Sequence, residues 1–285
     1  MTSAPRPLDG VKVVEFSHMV MGPTCGLILA DLGADVVKVE PASGGDNTRY
    51  LPGSGSGIFG TYNRNKRSVS VNLKSPEGLE FASRLVRESD VLIENFSAGV
   101  LERLGLGYEA MQKANPRLVY CALKGFLSGP YEQRVALDEV VQMMGGLAYM
   151  TGPEGRPLRA GASVNDVMGG LFGVVAIQAA LWERQRTGKG TFVRSGLFEN
   201  NMFLVAQHML QYRQTGVPAV PMPERKSAWA IYDVFETADD ENIFVGVVSD
   251  KQWTQFCNAF DLDDLLQNED LHSNAQRVAQ RESFM

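Results

Sequence analysis

Asp166 is the single charge at the mouth of a sixteen-residue apolar run, VMGGLFGVVAIQAALW. At a helix start such a carboxylate can act as an N-cap, accepting backbone N–H groups and stabilising by about 1 kcal/mol. It can equally be a nucleophile. A carboxylate attacks activated acyl groups to form covalent intermediates, and helix N–H groups then stabilise an oxyanion. Both readings stay open on position alone. Cys25 sits near a helix start, where a thiolate would be stabilised, but no histidine base is assured beside it, and a small core cysteine is the competing reading. His18 follows the first strand, where βα loops reach a ligand crevice; a lone histidine is also commonly structural. Arg64, Lys66 and Arg67 form a basic cluster that suits either a solvated loop or contact with a phosphorylated small molecule. Gly55-Ser56-Gly57-Ile58-Phe59-Gly60 matches the dinucleotide pattern G-x-G-x-x-G, but it follows no strand and TYNRNK opens no apolar helix, so NAD binding is not expected there.

The chain around these residues has 285 residues, 44% apolar and 21% charged. That length suits one large domain or two modest ones with a sizeable core. A net charge of −6 lacks the basic footprint of a nucleic-acid binder. Cys25, Cys121 and Cys257 are too few and too scattered for a disulfide framework, and with His18, His208 and His272 they form no metal pattern. A reduced, cytoplasmic protein without structural metal is expected. The start, MTSAPRPLDG, has no apolar signal region. The run after Asp166 is short for a membrane span and carries Gln178, so it is expected as a buried core helix. Gly169 and Gly173 would let a neighbouring backbone approach it.

Alternating patterns place these residues on an α/β scaffold. VKVVEF (11–16) reads as a strand, TCGLILADLG as a helix stopped by Gly33, and ADVVKVE (34–40) as a second strand, which makes one βαβ unit. Residues 41–67 read as a long loop. Strands follow at 68–73, 90–96, 118–126 and 190–198. Ser75-Pro76-Glu77 opens a helix to about Glu88, the span 136–187 is helical, and ENNMFLVAQHMLQYRQTG is one more helix. The mostly parallel α/β sheet domain is expected over 1–216, a proline-rich linker over 217–227, and a small α/β domain over 228–285. In the latter, two strands flank the turn Ala238–Asn242 and a helix follows.

Several segments, in this order, resemble the class III CoA-transferases, the formyl-CoA transferase and carnitine CoA-transferase-like family, which also contains α-methylacyl-CoA racemases. They are PLDGVKVVEFSHMVMGPTCGLILADLGADVVKVEP, GGDNTR, YNRNKRSVSVNLKSPEG, DVLIENFSAGVLERLGL, NPRLVYCALKGF, ALDEVVQMMGG and GASVNDVMGGLFGVVAIQAAL. The resemblance implies a large Rossmann-like CoA-binding domain, a small α/β domain and an interlocked homodimer. It also implies a C-terminal segment returning to the large domain, which this sequence stops before. The implied substrates are an acyl-CoA thioester and a small carboxylic acid, with no permanent cofactor and no nucleic-acid or membrane partner.

The family's catalytic aspartate falls on Asp166, which at an ordinary pKa near 3.9 would be ionised without a base. The resemblance carries CoA contacts onto Met19, Val20 and Met21, onto Val71 and Lys74, onto Asn95 and Phe96, onto Arg103 and Lys124 and, across a gap, onto Arg134. The cations suit the phosphates of CoA. Three departures matter. Pro41 stands where formyl-CoA transferase has a basic residue. Leu137 stands at the histidine of the racemase branch, which removes one of the two acid/base groups that α-proton exchange needs. Residues 218–230 contain no glycine run of the kind that closes over the aspartyl intermediates in oxalate-using members. A CoA-transferase is therefore expected, with a racemase or isomerase of the same fold, or a truncated CoA-binding chain without turnover, as the alternatives.

Overall fold

The structure, a computed structural model, describes residues 4–225 and 227–285. It divides into two compact units, Met1–Pro223 and Glu224–Met285.

The first unit is built on six parallel strands: β1 (Lys12–Phe16), β2 (Asp35–Pro41), β3 (Arg67–Val71), β4 (Val91–Glu94), β5 (Val119–Lys124) and β6 (Phe192–Gly196). Their spatial order is β3-β2-β1-β4-β5-β6, which is the order of a dinucleotide-type doubly wound sheet. The register sets Val13 opposite Val36 and Val91, and Leu92 opposite Tyr120. Because side chains alternate along a strand, consecutive residues feed opposite cores. Val13, Ile93 and Cys121 point to one, while Val14, Leu92 and Tyr120 point to the other. Such strands, apolar on both faces, are what a parallel sheet covered by helices requires.

The helices of this unit are α1 (Met21–Asp31), α2 (Ile58–Asn63), α3 (Pro76–Arg87), α4 (Val100–Arg103), α5 (Tyr108–Ala114), α6 (Asp138–Met144), α7 (Leu147–Thr151), α8 (Val164–Thr187) and α9 (Leu197–Thr215). Local signals set several ends. Ser75 accepts from the Gly78 N–H at 3.1 Å, with Pro76 following it, and so starts α3. Gly188 and Gly216, at φ +70° and +69°, end α8 and α9. Helix α8 lies against α1 through glycines, but the contacts differ from expectation. A Cβ on Gly169 or Gly173 would meet the side chains of Met21 or Leu123; the backbone approach is at Gly170, where a Cβ would sit 2.8 Å from the Met21 carbonyl oxygen.

Three sequence expectations are revised. Residues 41–67 are not one loop, because the segment folds into short turns and α2. Asp46 accepts from the Thr48 N–H and hydroxyl at 2.8 and 2.7 Å, and the Arg49 guanidinium lies over the Phe59 ring at 3.7 Å. The proline-rich stretch is not free along its whole length. Ala219 is buried, and its carbonyl accepts from the Tyr149 hydroxyl at 3.1 Å, so the unit boundary falls after Pro223. Helix α8 is longer than the apolar run and apolar enough, by length and composition alone, to cross a membrane. One side of it, with Val174, Ile177 and Ala180, is core, but Leu171, Phe172, Val175 and Trp182 are exposed.

The second unit has an antiparallel pair, β7 (Tyr232–Glu236) and β8 (Asn242–Gly246), with α10 (Asp250–Ala259), α11 (Asp263–Gln267), α12 (Asn274–Ala279) and α13 (Arg281–Phe284). Its core is Ile231, Val247, Trp253, Cys257 and Leu271.

Candidate active site

In an open α/β sheet, ligands bind outside the carboxyl ends of the strands where the order reverses. Here that point lies between β1 and β4. Strand β1 leads into Ser17, His18 and Met19, and β4 into Asn95 and Phe96. The Asn95 side chain clamps the first of these segments. Its Oδ1 accepts from the His18 N–H at 3.0 Å, and its Nδ2 donates to the His18 carbonyl at 2.8 Å. Met19 is held at φ +62°, a left-handed conformation that costs a non-glycine residue energy and persists only where the surroundings impose it. Helix α1 starts next, with no side-chain cap at Val20. Its first N–H groups and positive dipole end are thus left at the crevice.

Three adjoining hollows form a groove along this edge. A cleft of about 710 Å³ is lined by Met19, Val20, Met21, Asn95, Lys124 and Asp166, among others. It shares His18 and Met19 with a hollow of about 250 Å³. That hollow shares Pro41 and Phe96 with a third, of about 430 Å³, which Val71 and Lys74 also line. Most of the residues singled out in the sequence therefore meet on one groove. Arg103 and Arg134 do not. Arg103 is exposed on α4, and Arg134 is exposed with its guanidinium 4.5 Å from the Tyr131 ring centre. Both lie outside the three hollows.

Asp166 lies in the first turn of α8 and is not its N-cap, which is Ser163. Capping is done by a second carboxylate. Buried Asp138, at the start of α6, accepts the Asp166 N–H on Oδ2 at 2.9 Å and the Gln142 side-chain amide on Oδ1. Gln142 in turn accepts the Ala160 N–H at 2.7 Å. Burial first, and the charge of Asp138 second, push the Asp166 carboxyl up to about 7, while Arg159 pulls it the other way. The ordinary carboxylate expected from sequence is thus corrected, since its neighbours are a buried site and a like charge.

The cations also differ from expectation. Lys124 pairs with Glu94 at 2.6 Å and donates to the Phe96 carbonyl at 2.7 Å, so its charge is already matched. Lys74 is exposed, with no ion pair among the described residues. The basic cluster divides: Arg64 and Arg67 are solvent-exposed, as a solvated loop would have them, and only the Lys66 ammonium is buried, each with a carboxylate partner. Lys66 is buried against Glu15 at 2.8 Å, Arg64 pairs with Asp31 at 2.7 Å, and Arg67 takes both oxygens of Asp35 at 2.8 and 2.6 Å. Cys25 is buried beside Cys121. A hydrogen bond between the two thiols, and then burial, hold the Cys25 thiol well above its usual range, so it is no thiolate. Gly55 and Ile58 of the glycine pattern line the large cleft, but the pattern lies between β2 and β3 with no strand leading into it.

Asp138, Glu139, Gln142 and Arg159 were assigned no role from sequence, yet all belong to or brace the cleft. One signal was present for Arg159: it is the only cation in PLRAGASVND, a stretch of otherwise small or uncharged residues leading to Asp166.

The model of CoA-transferase family III matches residues 8–285. A succinate–glutarate CoA-transferase from Agrobacterium fabrum is 36% identical over 99% of this chain and 74% of its own length. A succinyl-CoA:glutarate CoA-transferase from Homo sapiens is 34% identical over 98% of this chain, which spans 65% of that protein. The crystal structure of a CAIB/BAIF family protein from Brucella suis superposes with a TM-score of 0.84 at 36% identity, covering 98% of this chain and 76% of that one. With a family match over nearly its whole length and relatives of this identity, the chain belongs to CoA-transferase family III.

Proposed function

We propose that this chain moves CoA from an acyl-CoA thioester to a carboxylic acid, with Asp166 as the nucleophile. The observation that carries the reading is the placement of Asp166. It is part-buried in the first turn of α8 and faces the large cleft at the switch point of the sheet.

The steps follow from carboxylate chemistry. The Asp166 carboxylate attacks the thioester carbonyl, the C–S bond breaks, and a mixed anhydride and CoA thiolate form. The thiolate attacks the aspartyl carbonyl and releases the donor acid as its carboxylate, leaving an Asp166–CoA thioester. The acceptor carboxylate attacks that thioester, giving a second anhydride and free thiolate. The thiolate then attacks the acceptor's acyl carbonyl and restores the Asp166 carboxylate. An anhydride keeps the acyl group activated, which an ester would not. Backbone N–H groups at the uncapped start of α1 are positioned to favour negative charge at the crevice. Racemisation is the weaker reading, because the second proton carrier it needs is Leu137, an alkyl side chain lining the cleft.

The groove's Val71, Lys74, Asn95 and Phe96 are read as CoA contacts, supported by their continuity with the Asp166 cleft. A homodimer is inferred as well. Helices α8 and α9 share an exposed apolar face of Leu171, Phe172, Val175, Phe203, Met209 and Leu210, joined where the Phe172 and Phe203 rings meet at 5.7 Å. Clustered exposed apolar side chains of this kind mark interaction surfaces. Sedimentation velocity should show a particle of twice the chain mass; a monomer at micromolar concentration overturns the dimer.

The transfer itself is tested by incubating the protein with acyl-CoAs, succinyl-CoA first, and quenching with hydroxylamine. A hydroxamate mapped by mass to Asp166 is the expected product. Its absence with every donor, while CoA still binds, overturns Asp166 as nucleophile.

A further inference from the structure

The cleft around Asp166 has an unequal supply of charge. Three carboxylates line it: Asp138, Glu139 and Asp166. Two permanent cations line it as well, Lys124 and Arg159. Lys124 is committed, its ammonium held by Glu94 at 2.6 Å and by the Phe96 carbonyl. Arg159 pairs with Glu139 at the cleft rim, where both side chains are about two-fifths exposed, at 39% and 44%. An ion pair that exposed is worth at most about 1 kcal/mol, so an incoming carboxylate can take the place of Glu139. The guanidinium is close enough to act on the charge of Asp166, yet no ion pair within 4.0 Å joins them. Nucleophile and exchangeable cation therefore line one cleft without pairing with each other.

That separation matches a substrate with two carboxyl groups. With one end reacting at Asp166, the other would meet Asp138, Glu139 and Asp166 as like charges unless a cation receives it. A planar guanidinium takes a carboxylate through two parallel hydrogen bonds, which an ammonium cannot reproduce. We propose that Arg159 determines acid specificity: it binds the carboxylate remote from the reacting one, and so selects dicarboxylic over monocarboxylic substrates. The inference rests on the transferase reading above and names the residue that sets its substrate class.

The test is the single-turnover rate of hydroxylamine-trapped adduct formation with succinyl-CoA and with butyryl-CoA, which share chain length and differ in the remote carboxylate. The wild-type protein should react at least ten-fold faster with succinyl-CoA. In Arg159→Gln, assayed on the high-pH plateau where Asp166 is ionised with or without the guanidinium, the succinyl-CoA rate should fall about ten- to a hundred-fold while the butyryl-CoA rate falls less than about two-fold, which also shows that the variant's site is intact. Arg159→Lys should recover part of the loss. A wild type indifferent to the remote carboxylate, or an Arg159→Gln variant that keeps the preference or slows equally on both donors, overturns the role of Arg159 and leaves Asp166 as nucleophile standing. A wild type that forms no adduct with either donor overturns both.

Discussion

Asp166 owes its chemistry to its neighbours. A carboxyl held near 7 is half protonated at neutral pH, and only the ionised form attacks a thioester. The single-turnover rate with succinyl-CoA should therefore rise with pH and level off above about 7. Asp138→Asn keeps an oxygen for the Asp166 N–H but removes the like charge, so the rising limb should move to lower pH. A limb left in place would show that Asp138 acts only as a cap. The same shift has a stability sign. The folded pKa of Asp166 lies above the unfolded value, so ionising it costs stability as pH rises from about 4 through 7. Asp166→Asn should abolish adduct formation yet unfold at equal or higher urea concentration at pH 8, with a gain on the order of 1–3 kcal/mol. A less stable variant would mean that the carboxylate supports the fold.

At the scale of elements, α1 and α8 form the pair that holds the site. The start of α1 frames the crevice and the start of α8 carries Asp166, so their spacing sets how far the proposed nucleophile would stand from a thioester in the cleft. Gly170 allows the close approach, since a Cβ there would lie 2.8 Å from both the Met21 carbonyl oxygen and Thr24 Cβ. Gly170→Ala must push α1 away. Urea unfolding should show a loss of about 1–3 kcal/mol, and the KM for acyl-CoA should rise. Gly60→Ala is the control, because its Cβ meets nothing within 4 Å, it carries no positive φ, and it lies within α2. That change should be neutral or gain about 0.5–1 kcal/mol. Equal losses in both variants would remove the close contact as the cause.

Across the large unit, a buried ionic network ties the floor of the groove to the sheet. Lys38 reaches Glu15 at 3.3 Å, Asp46 at 3.1 Å and the Ser17 carbonyl at 2.7 Å, and Lys66 reaches Glu15 from beside β3. Glu40 takes Arg49 through both oxygens, at 2.9 and 2.7 Å. Removing one member strands the others, so Lys38→Met should cost about 3–5 kcal/mol in urea unfolding. Burial alone would raise the Glu40 carboxyl, but hydrogen bonds from Arg49, Ser68 and the Asp46 N–H outweigh it and hold Glu40 at about 2. Its contribution is therefore complete above the ordinary value of 4.5 and is lost as pH falls toward 2. Glu40→Gln should flatten that part of the acid unfolding profile; an unchanged profile would assign the acid loss to other carboxylates.

What could be read from the chain alone is what neighbours in sequence decide. VKVVEF and ADVVKVE announce strands by their β-branched runs, Ser75-Pro76 announces a helix start, and Gly33, at φ +110°, a helix stop. Those elements in alternation limit the fold to a parallel α/β sheet, and the motif strings locate Asp166. Nothing local states that Glu15, Lys38 and Glu40, within those same strand runs, are buried charges, because their partners Lys66, Asp46 and Arg49 arrive from the segment beyond β2. The cap on α8 comes from Asp138, 28 residues away, and the match for Lys124 from Glu94, 30 residues away. A carboxyl's pKa and a cation's availability depend on burial and on which charges lie within a few ångströms. Only the folded chain sets those distances, so the sequence determined the scaffold and the carboxylate proposed as nucleophile, while the tertiary structure decided that group's protonation and which cleft cation is left with an exchangeable partner.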